Sequence, residues 1–486
     1  MALKLMMKRI RFAKLAGWFS LALCAGWAGL TSAQGLSSLP PEVVRAWGQT
    51  KLPESSLSLV VKEIGGSRIA AVNPTEPRNP ASVMKLVTTW AAISQLGPNY
   101  VWRTTLLLPK GVQPDAQGVL PSPVYLRADG DPLLMLEDVW RLLRELRLRG
   151  VKQIPGIVVD RSIFGDVAVD PGAFDGASDR PYNASPDALM IGFGSVRIVF
   201  VPDPVNKTWK SFIDPPVPGI EVQGNVEWVD GACQGFPPVV TDSTLAAGNV
   251  RFRVSGRASG ACGEFAVYRL ALTQQAFAAK VLQTMWQELG GQITGEVTTG
   301  SVPPGAVPFA AHESPPLSEV IRLINKRSNN VMTRVLLLTL GAEAGRRPAT
   351  VQSSVEVARS VLQKQGLPMP GLVLDNGSGL SREGAIGADS LAALLEKVWQ
   401  SPVMPEYISS LAILGEDGTM RNRLRDPATR LRGHLKSGAL KDVRSVAGYI
   451  WGASGKRYIV VSMVNHPNAH NAREFENALM NWLARH

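Results

Sequence analysis

The stretch Pro80-Ala81-Ser82-Val83-Met84-Lys85 opens an apolar-periodic run that reaches Leu96 and stops at Gly97-Pro98. Proline near the start and glycine past the end predict a helix over 82–96, with Ser82 in its first turn. Lys85, three residues on, then shares a face with Ser82. A serine is a weak nucleophile at its free pKa, and a lysine within hydrogen-bond reach can serve as its base. Two further strings follow in order, Ser328-Asn329-Asn330 and Lys436-Ser437-Gly438. Each is short enough to arise by chance as a cap or turn, and it is their order and context that point to a serine acyltransferase needing no histidine.

The chemistry sets demands on each string. Lys85 must shed its proton near neutrality, which means lowering a pKa of roughly 10.4 by about three units, or about 4 kcal/mol. Burial, a second cation at Lys436 and the positive potential of a helix start all act in that direction. The Ser328 hydroxyl can relay a proton to a leaving amine while Asn330 holds a substrate amide. Lys436 and Ser437 can grip a carboxylate, and Gly438 permits close backbone approach. The backbone amides of Ser82 and Ala439 are candidates for an oxyanion hole, a contribution of roughly 3 kcal/mol per donor.

Working outward, Leu57–Val61 and Ile69–Val72 alternate around Gly65-Gly66 as a hairpin. From about residue 100 to 308 short β-rich runs such as 196–201 and 250–254 are broken by Gly and Pro, which predicts an insert with a small nested β subdomain. One amphipathic helix, 137–149, interrupts it, with Arg141, Arg144, Arg147 and Arg149 expected to face solvent. Helical periodicity returns over 317–341 and 390–399. Strands at 446–451 and 458–464 flank Gly455, and a helix over 472–484 follows. Helices between two strand groups imply an α+β fold, a mixed antiparallel sheet with helices packed on it.

The first 33 residues carry Lys4, Lys8, Arg9, Arg11 and Lys14 with no acidic residue, then an apolar run to Leu30 and Thr31-Ser32-Ala33. This reads as a secretory signal cut after Ala33; the apolar run is shorter than a full membrane span, and Leu23 before Cys24 argues against lipid modification. Cleavage removes five of the basic residues behind the formal charge of +11. The remaining mild excess suits soft attraction to an anionic wall or membrane surface, and without a basic tract nucleic acid is a poor partner. Cys233 and Cys262 are left as an even pair, expected to form a disulfide in an oxidising compartment, with two buried thiols as the alternative. His312, His434, His466, His470 and His486 form no His-Glu-x-x-His string, so neither a metal nor a cofactor is expected.

Together the three strings resemble those of β-lactamases and penicillin-binding proteins. More specifically, the chain is similar to the D-alanyl-D-alanine carboxypeptidase and endopeptidase family of low-molecular-mass penicillin-binding proteins. The resemblance also runs through Gly130-Asp131-Pro132, Val158-Val159-Asp160, 312–317 (His-Glu-Ser-Pro-Pro-Leu), 375–382 (Asp-Asn-Gly-Ser-Gly-Leu-Ser-Arg) and Ala447-Gly448-Tyr449. It implies a transpeptidase-like domain in two parts, 34–100 and 309–486, around an insert at 101–308. It further implies that Ser82, Lys85, Ser328, Asn330, Lys436 and Ser437 occupy catalytic positions, with peptidoglycan peptides as substrates and β-lactams as acylating inhibitors. Asp175 and Arg382 are the nearest matches to the pair that holds the free end of a diaminopimelate side chain, with Asp170 and Asp179 as neighbours of Asp175. Three departures stand out: Ser437 where the family usually has Thr, Asn376 between Asp375 and the Gly-Ser-Gly string, and 191–194 (Ile-Gly-Phe-Gly) in place of an Asn-containing stretch. A dedicated β-lactamase is disfavoured by the long insert and the lack of an obvious glutamate base, and an idle wall-binding module by the completeness of the site. Export by a cleaved signal makes the periplasm the expected location.

Overall fold

The computed structural model describes residues 35–246 and 248–486, and the expected signal segment lies outside them. The central element is a six-stranded antiparallel sheet in the order Ala412–Ile413, Gly433–Leu440, Val443–Trp451, Arg457–Asn465, Leu57–Glu63, Arg68–Val72. The C-terminal strands therefore close directly on the N-terminal hairpin, Leu57 pairing with Val464 and Glu63 with Tyr458.

Period-two alternation splits this sheet between two cores. Val60, Ala447, Ile459, Val461 and Met463 face a layer that holds the helices Lys85–Leu96, Leu317–Arg327, Asn330–Glu343 and Ala388–Trp399. Leu59, Val61, Val446, Val460 and Val464 face the opposite layer, made by the helices Pro41–Thr50 and Arg473–Arg485. The result is an α+β sandwich of helices, antiparallel sheet and helices.

A third core belongs to the middle of the chain. Its five-stranded mixed sheet runs Val297–Thr299, Ile157–Asp160, Val124–Ala128, Arg103–Leu108, Val307–Glu313. The last of these strands crosses the expected insert boundary at 308 and pairs back on Arg103–Leu108. Two three-stranded sheets follow the loop 161–195, and Cys233 and Cys262 are joined by a disulfide across one of them. Phe193 packs against both this core and the helical core beneath the nucleophile.

Two local expectations are corrected. The periodic segment 317–341 is two helices, Leu317–Arg327 and Asn330–Glu343, broken where Ser328 takes φ +59°. Apolar periodicity resumes in phase after the break, so pattern alone reads through it. On the helix Leu136–Leu148, Arg147 does not simply face solvent: it donates to the carbonyls of Leu289 and Val151 and lies over the Trp286 ring.

Candidate active site

Ser82 sits on the short 3-10 turn Ala81–Met84 that leads into the helix Lys85–Leu96, one turn earlier than a continuous α-helix would begin. The turn is held open at a strained residue, because Ala81 has φ +45°. Its amide donates to Asn79 Oδ1 at 2.8 Å, and Asn79 is clasped by Asn465 through both backbone groups. Gly379 lies against it, since a Cβ there would stand 1.8 Å from the Ala81 carbonyl oxygen. The strand Gly433–Leu440 approaches from the other side at Gly438, where a Cβ would meet Ser445 Oγ at 2.4 Å, Pro80 O at 2.6 Å and Ser82 N at 3.0 Å. Glycine is thus required where the third string passes the backbone of the first.

Lys85 Nζ lies 2.9 Å from Ser82 Oγ, 2.7 Å from Asn330 Oδ1 and 2.6 Å from the Ser378 carbonyl oxygen. The side chain is fully buried and meets no carboxylate. Burial, followed by the charges of Lys436 and Arg334, pushes its pKa well below that of an ordinary lysine. A neutral amine has two N–H donors and one lone pair. Asn330 Oδ1 and Ser378 O are pure acceptors and take the two donors, which leaves the lone pair facing the Ser82 hydroxyl. Asn330 is itself fixed, donating from Nδ2 to the Tyr182 carbonyl at 3.1 Å. In this state its amide is committed to Lys85 and to the insert rather than open to a substrate.

Ser328 and Lys436 complete the cluster. Lys436 Nζ donates to Ser328 Oγ at 2.9 Å and to the Ser437 carbonyl at 2.7 Å, and burial lowers its pKa to about 7. The Ser328 break in the helix is what turns its hydroxyl toward this lysine; Asn329 then caps the next helix by accepting from the Met332 amide. Ser437 Oγ donates to Thr419 Oγ1 at 2.7 Å. Ser82, Ser328, Ser437, Gly438 and Ala439 line one cavity of about 470 Å³.

Asp175 and Arg382 stand apart from that cavity. Asp175 accepts from Tyr182 Oη at 2.8 Å, Asn183 Nδ2 at 2.7 Å and the Ala177 amide at 3.0 Å. Its partial burial would raise its pKa, but these hydrogen bonds and the Arg382 charge outweigh that and hold it below the usual carboxylate range. The Arg382 guanidinium stacks 4.4 Å from the Phe174 ring centroid and lies 3.6 Å from Asp442. Of the alternatives, Asp179 is engaged with Arg269 at 3.0 Å and Asp170 accepts from the Gly172 amide.

Several participants carried no sequence signal. The Ser378 acceptor is a backbone atom, presented by a loop that Asn376 braces by accepting from Ser378 N and Oγ and donating to the Leu380 carbonyl. Asn376 therefore shapes the loop beside Lys85. Arg334, Thr419 and the Tyr182 carbonyl likewise belong to no short string.

A paired serine and buried lysine on such a helix start, beside an antiparallel sheet edge, define a serine acyl-transferring hydrolase with a transpeptidase/β-lactamase-like fold. A model of the D-Ala-D-Ala carboxypeptidase 3 (S13) family matches residues 42–486, and the chain belongs to that family and with it to the serine DD-peptidases. The D-alanyl-D-alanine carboxypeptidase DacB of Haemophilus influenzae is 27% identical over 423 residues, covering 85% of this chain and 86% of the relative. The D-alanyl-D-alanine carboxypeptidase of Actinomadura sp. is 27% identical over 431 residues, 84% and 77% of the two chains. The crystal structure of penicillin-binding protein 4 from Haemophilus influenzae superposes with a TM-score of 0.75 at 25% identity, covering 91% of this chain and 99% of that one. The same protein in complex with a β-lactam gives a TM-score of 0.70 at 26% identity.

Proposed function

We propose that the protein is an exported DD-peptidase that acts on peptidoglycan peptides through an acyl-enzyme at Ser82, as a carboxypeptidase, an endopeptidase or both, and that β-lactams acylate the same serine. The observation that carries this reading is Lys85: fully buried, 2.9 Å from Ser82 Oγ, and hydrogen-bonded otherwise only to neutral acceptors.

In this mechanism the Ser82 proton passes to Lys85 Nζ as Oγ attacks the carbonyl carbon of the penultimate D-alanine. The backbone amides of Ser82 and Ala439 stabilise the oxyanion. Ser328, hydrogen-bonded to Lys436, delivers a proton to the departing amine, and the C–N bond breaks to leave an ester on Ser82. Asn330 orients Lys85, while Ser437 and Gly438 align the substrate along the strand edge. The proton that Lys85 took from Ser82 replaces the one Ser328 gave up, which leaves Lys85 neutral again; Lys85 then takes a proton from water as the water oxygen attacks the ester carbonyl, and returns it to Ser82 Oγ as the ester C–O bond breaks. Asp175 and Arg382 hold the free amine and carboxylate ends of a diaminopimelate side chain on the acyl-donor side. Residues 101–308 act as the insert that carries Asp175 to the site, and residues 1–33 direct the chain to the periplasm, where loose wall or membrane contact is electrostatic.

The test is to incubate the protein with a labelled penicillin and locate the adduct by peptide mass in wild type and Ser82→Ala. A stable adduct on the peptide containing Ser82, absent from the variant, is expected. An adduct on another residue, or none on folded wild type, overturns the assignment; hydrolysis of the penicillin within seconds favours a β-lactamase.

A further inference from the structure

The insert meets the helix Asn330–Glu343 through a turn that takes no part in the proposed steps. Pro181–Asn183 is a short 3-10 turn ended by Ala184. The Tyr182 carbonyl accepts from Asn330 Nδ2 at 3.1 Å, and the Ala184 carbonyl accepts from Arg334 Nη1 at 2.9 Å. Residues four apart lie one above the other on a helix face, so Asn330 and Arg334 grip the turn at two adjacent points. From the insert side the turn is braced as well, because Tyr182 Oη and Asn183 Nδ2 both donate to Asp175.

Arg334 does little else. Among the described residues its side chain has no other hydrogen bond and no ion pair, and its Nε is buried without a partner. Burial lowers its pKa and the Asp375 charge opposes that, but a guanidinium stays protonated in proteins. Burying a charge for one backbone carbonyl is costly. An apolar side chain would pack there without that cost, so the grip itself calls for a role.

The role follows from what the turn does to Asn330. A carbonyl only accepts, so Tyr182 dictates that Nδ2 faces the insert and Oδ1 faces Lys85, 2.7 Å from Nζ. With the amide reversed, an Asn330 N–H would meet the Lys85 amine and compete with the Ser82 hydroxyl for its single lone pair. Orientation of this amide therefore decides whether Lys85 is free to act as the base.

Resting on the DD-peptidase reading, we infer that Arg334 is a positioning residue for the Ser82–Lys85 pair: it clamps residues 181–184 of the insert onto the helix, so that the Tyr182 carbonyl fixes the Asn330 amide and Asn330 fixes Lys85. The insert then contributes to the chemistry at Ser82 through one backbone carbonyl.

The experiment follows labelled-penicillin uptake over a range of concentrations and pH, which separates the acylation constant from noncovalent affinity. The charges acting on Lys85 come from Lys436 on the strand and from Arg334 itself, so each protein is compared on the high-pH plateau of its own profile, where Lys85 is neutral. Arg334→Met is expected to lower the acylation constant there about tenfold and to leave noncovalent affinity within about twofold, as loss of a hydrogen bond from a charged donor predicts. Arg334→Lys, which can still donate to the Ala184 carbonyl, should recover most of that loss. In an Asn330→Ala background no amide remains to be oriented, and Arg334→Met should cost less than about threefold. An unchanged plateau in Arg334→Met overturns the inference, as does the same loss in both backgrounds, which is what general loosening produces. If Asn330→Ala takes up no penicillin overnight, a crystal structure of Arg334→Met decides: a turn displaced from Asn330 is expected, and an intact Asn330–Tyr182 hydrogen bond overturns the clamp. Wild type acylated at Ser82 with Arg334→Met its equal leaves the DD-peptidase reading standing, whereas folded wild type without an adduct overturns both.

Discussion

Replacing Lys436 by methionine should make the protein more stable in mild acid and less stable in alkali. Burial lowers the pKa of this lysine from 10.5 to about 7. Between those values the unfolded chain binds a proton that the folded chain does not, so wild-type stability rises with pH across that window. Below pH 7 the full cost is present, about 5 kcal/mol for a shift of this size at 1.36 kcal/mol per unit. Methionine fills a similar volume and carries no charge, so it escapes that cost. It also loses the hydrogen bonds to Ser328 Oγ and the Ser437 carbonyl, roughly 1–1.5 kcal/mol each. The net gain at pH 6 is about 2 kcal/mol, a Tm increase of roughly 2–4 °C in a chain of this size. Near pH 10 most of the proton cost has gone and the lost hydrogen bonds dominate, so the sign reverses. Thermal melts of both proteins at pH 6 and pH 10 test this. A variant less stable than wild type at both values would show that Lys436 is held charged, and the account of its burial would fall. Penicillin acylation of the same variant should also need a higher pH, because one of the charges that depresses Lys85 is gone.

Two other substitutions probe different parts of the framework. Gly438→Ala places a methyl group 2.6 Å from the Pro80 carbonyl and 3.0 Å from Ser82 N, so it should move the strand off the nucleophile turn and slow acylation by about 100-fold, the size of effect seen when an oxyanion donor is lost; stopped-flow acylation at unchanged Tm would reveal it. Cys233→Ser with Cys262→Ser opens a loop of sequence separation 29 and should cost about 3–4 kcal/mol of local stability on the chain-entropy estimate, read as faster proteolysis within 196–269, while kcat stays near wild type.

How far residues alone lead is clearest at the site. Lys85 is hydrogen-bonded to Ser82 and Asn330, Lys436 is hydrogen-bonded to Ser328, and Ser82, Ser328 and Ser437 line one cavity; these residues could be picked out in the sequence because each chemical demand names a residue type. What escaped were backbone and framework contributions. The carbonyl of Ser378 has no residue-type signature, and the helix break at Ser328 is invisible to a periodicity that continues through it. The N-terminal and C-terminal hairpins were readable from alternation around Gly65-Gly66 and Gly455, yet nothing local says that Leu57–Glu63 pairs with Arg457–Asn465. That partnership is decided by burial on both faces of the sheet. Asn376, which seemed a departure from a pattern, holds the loop that meets Lys85.

The pairing of Leu57–Glu63 with Arg457–Asn465 bears on how the chain matures. The nucleophile is made early in synthesis, but the sheet it leans on is closed only by one of the final strands, and Asn465 from that strand clasps Asn79 ahead of the strained Ala81. Folding must await a contact between distant ends, a slow class of event. A chain lacking this strand carries Ser82 without the Asn465 clasp on Asn79, and is expected to form no penicillin adduct when the full chain does.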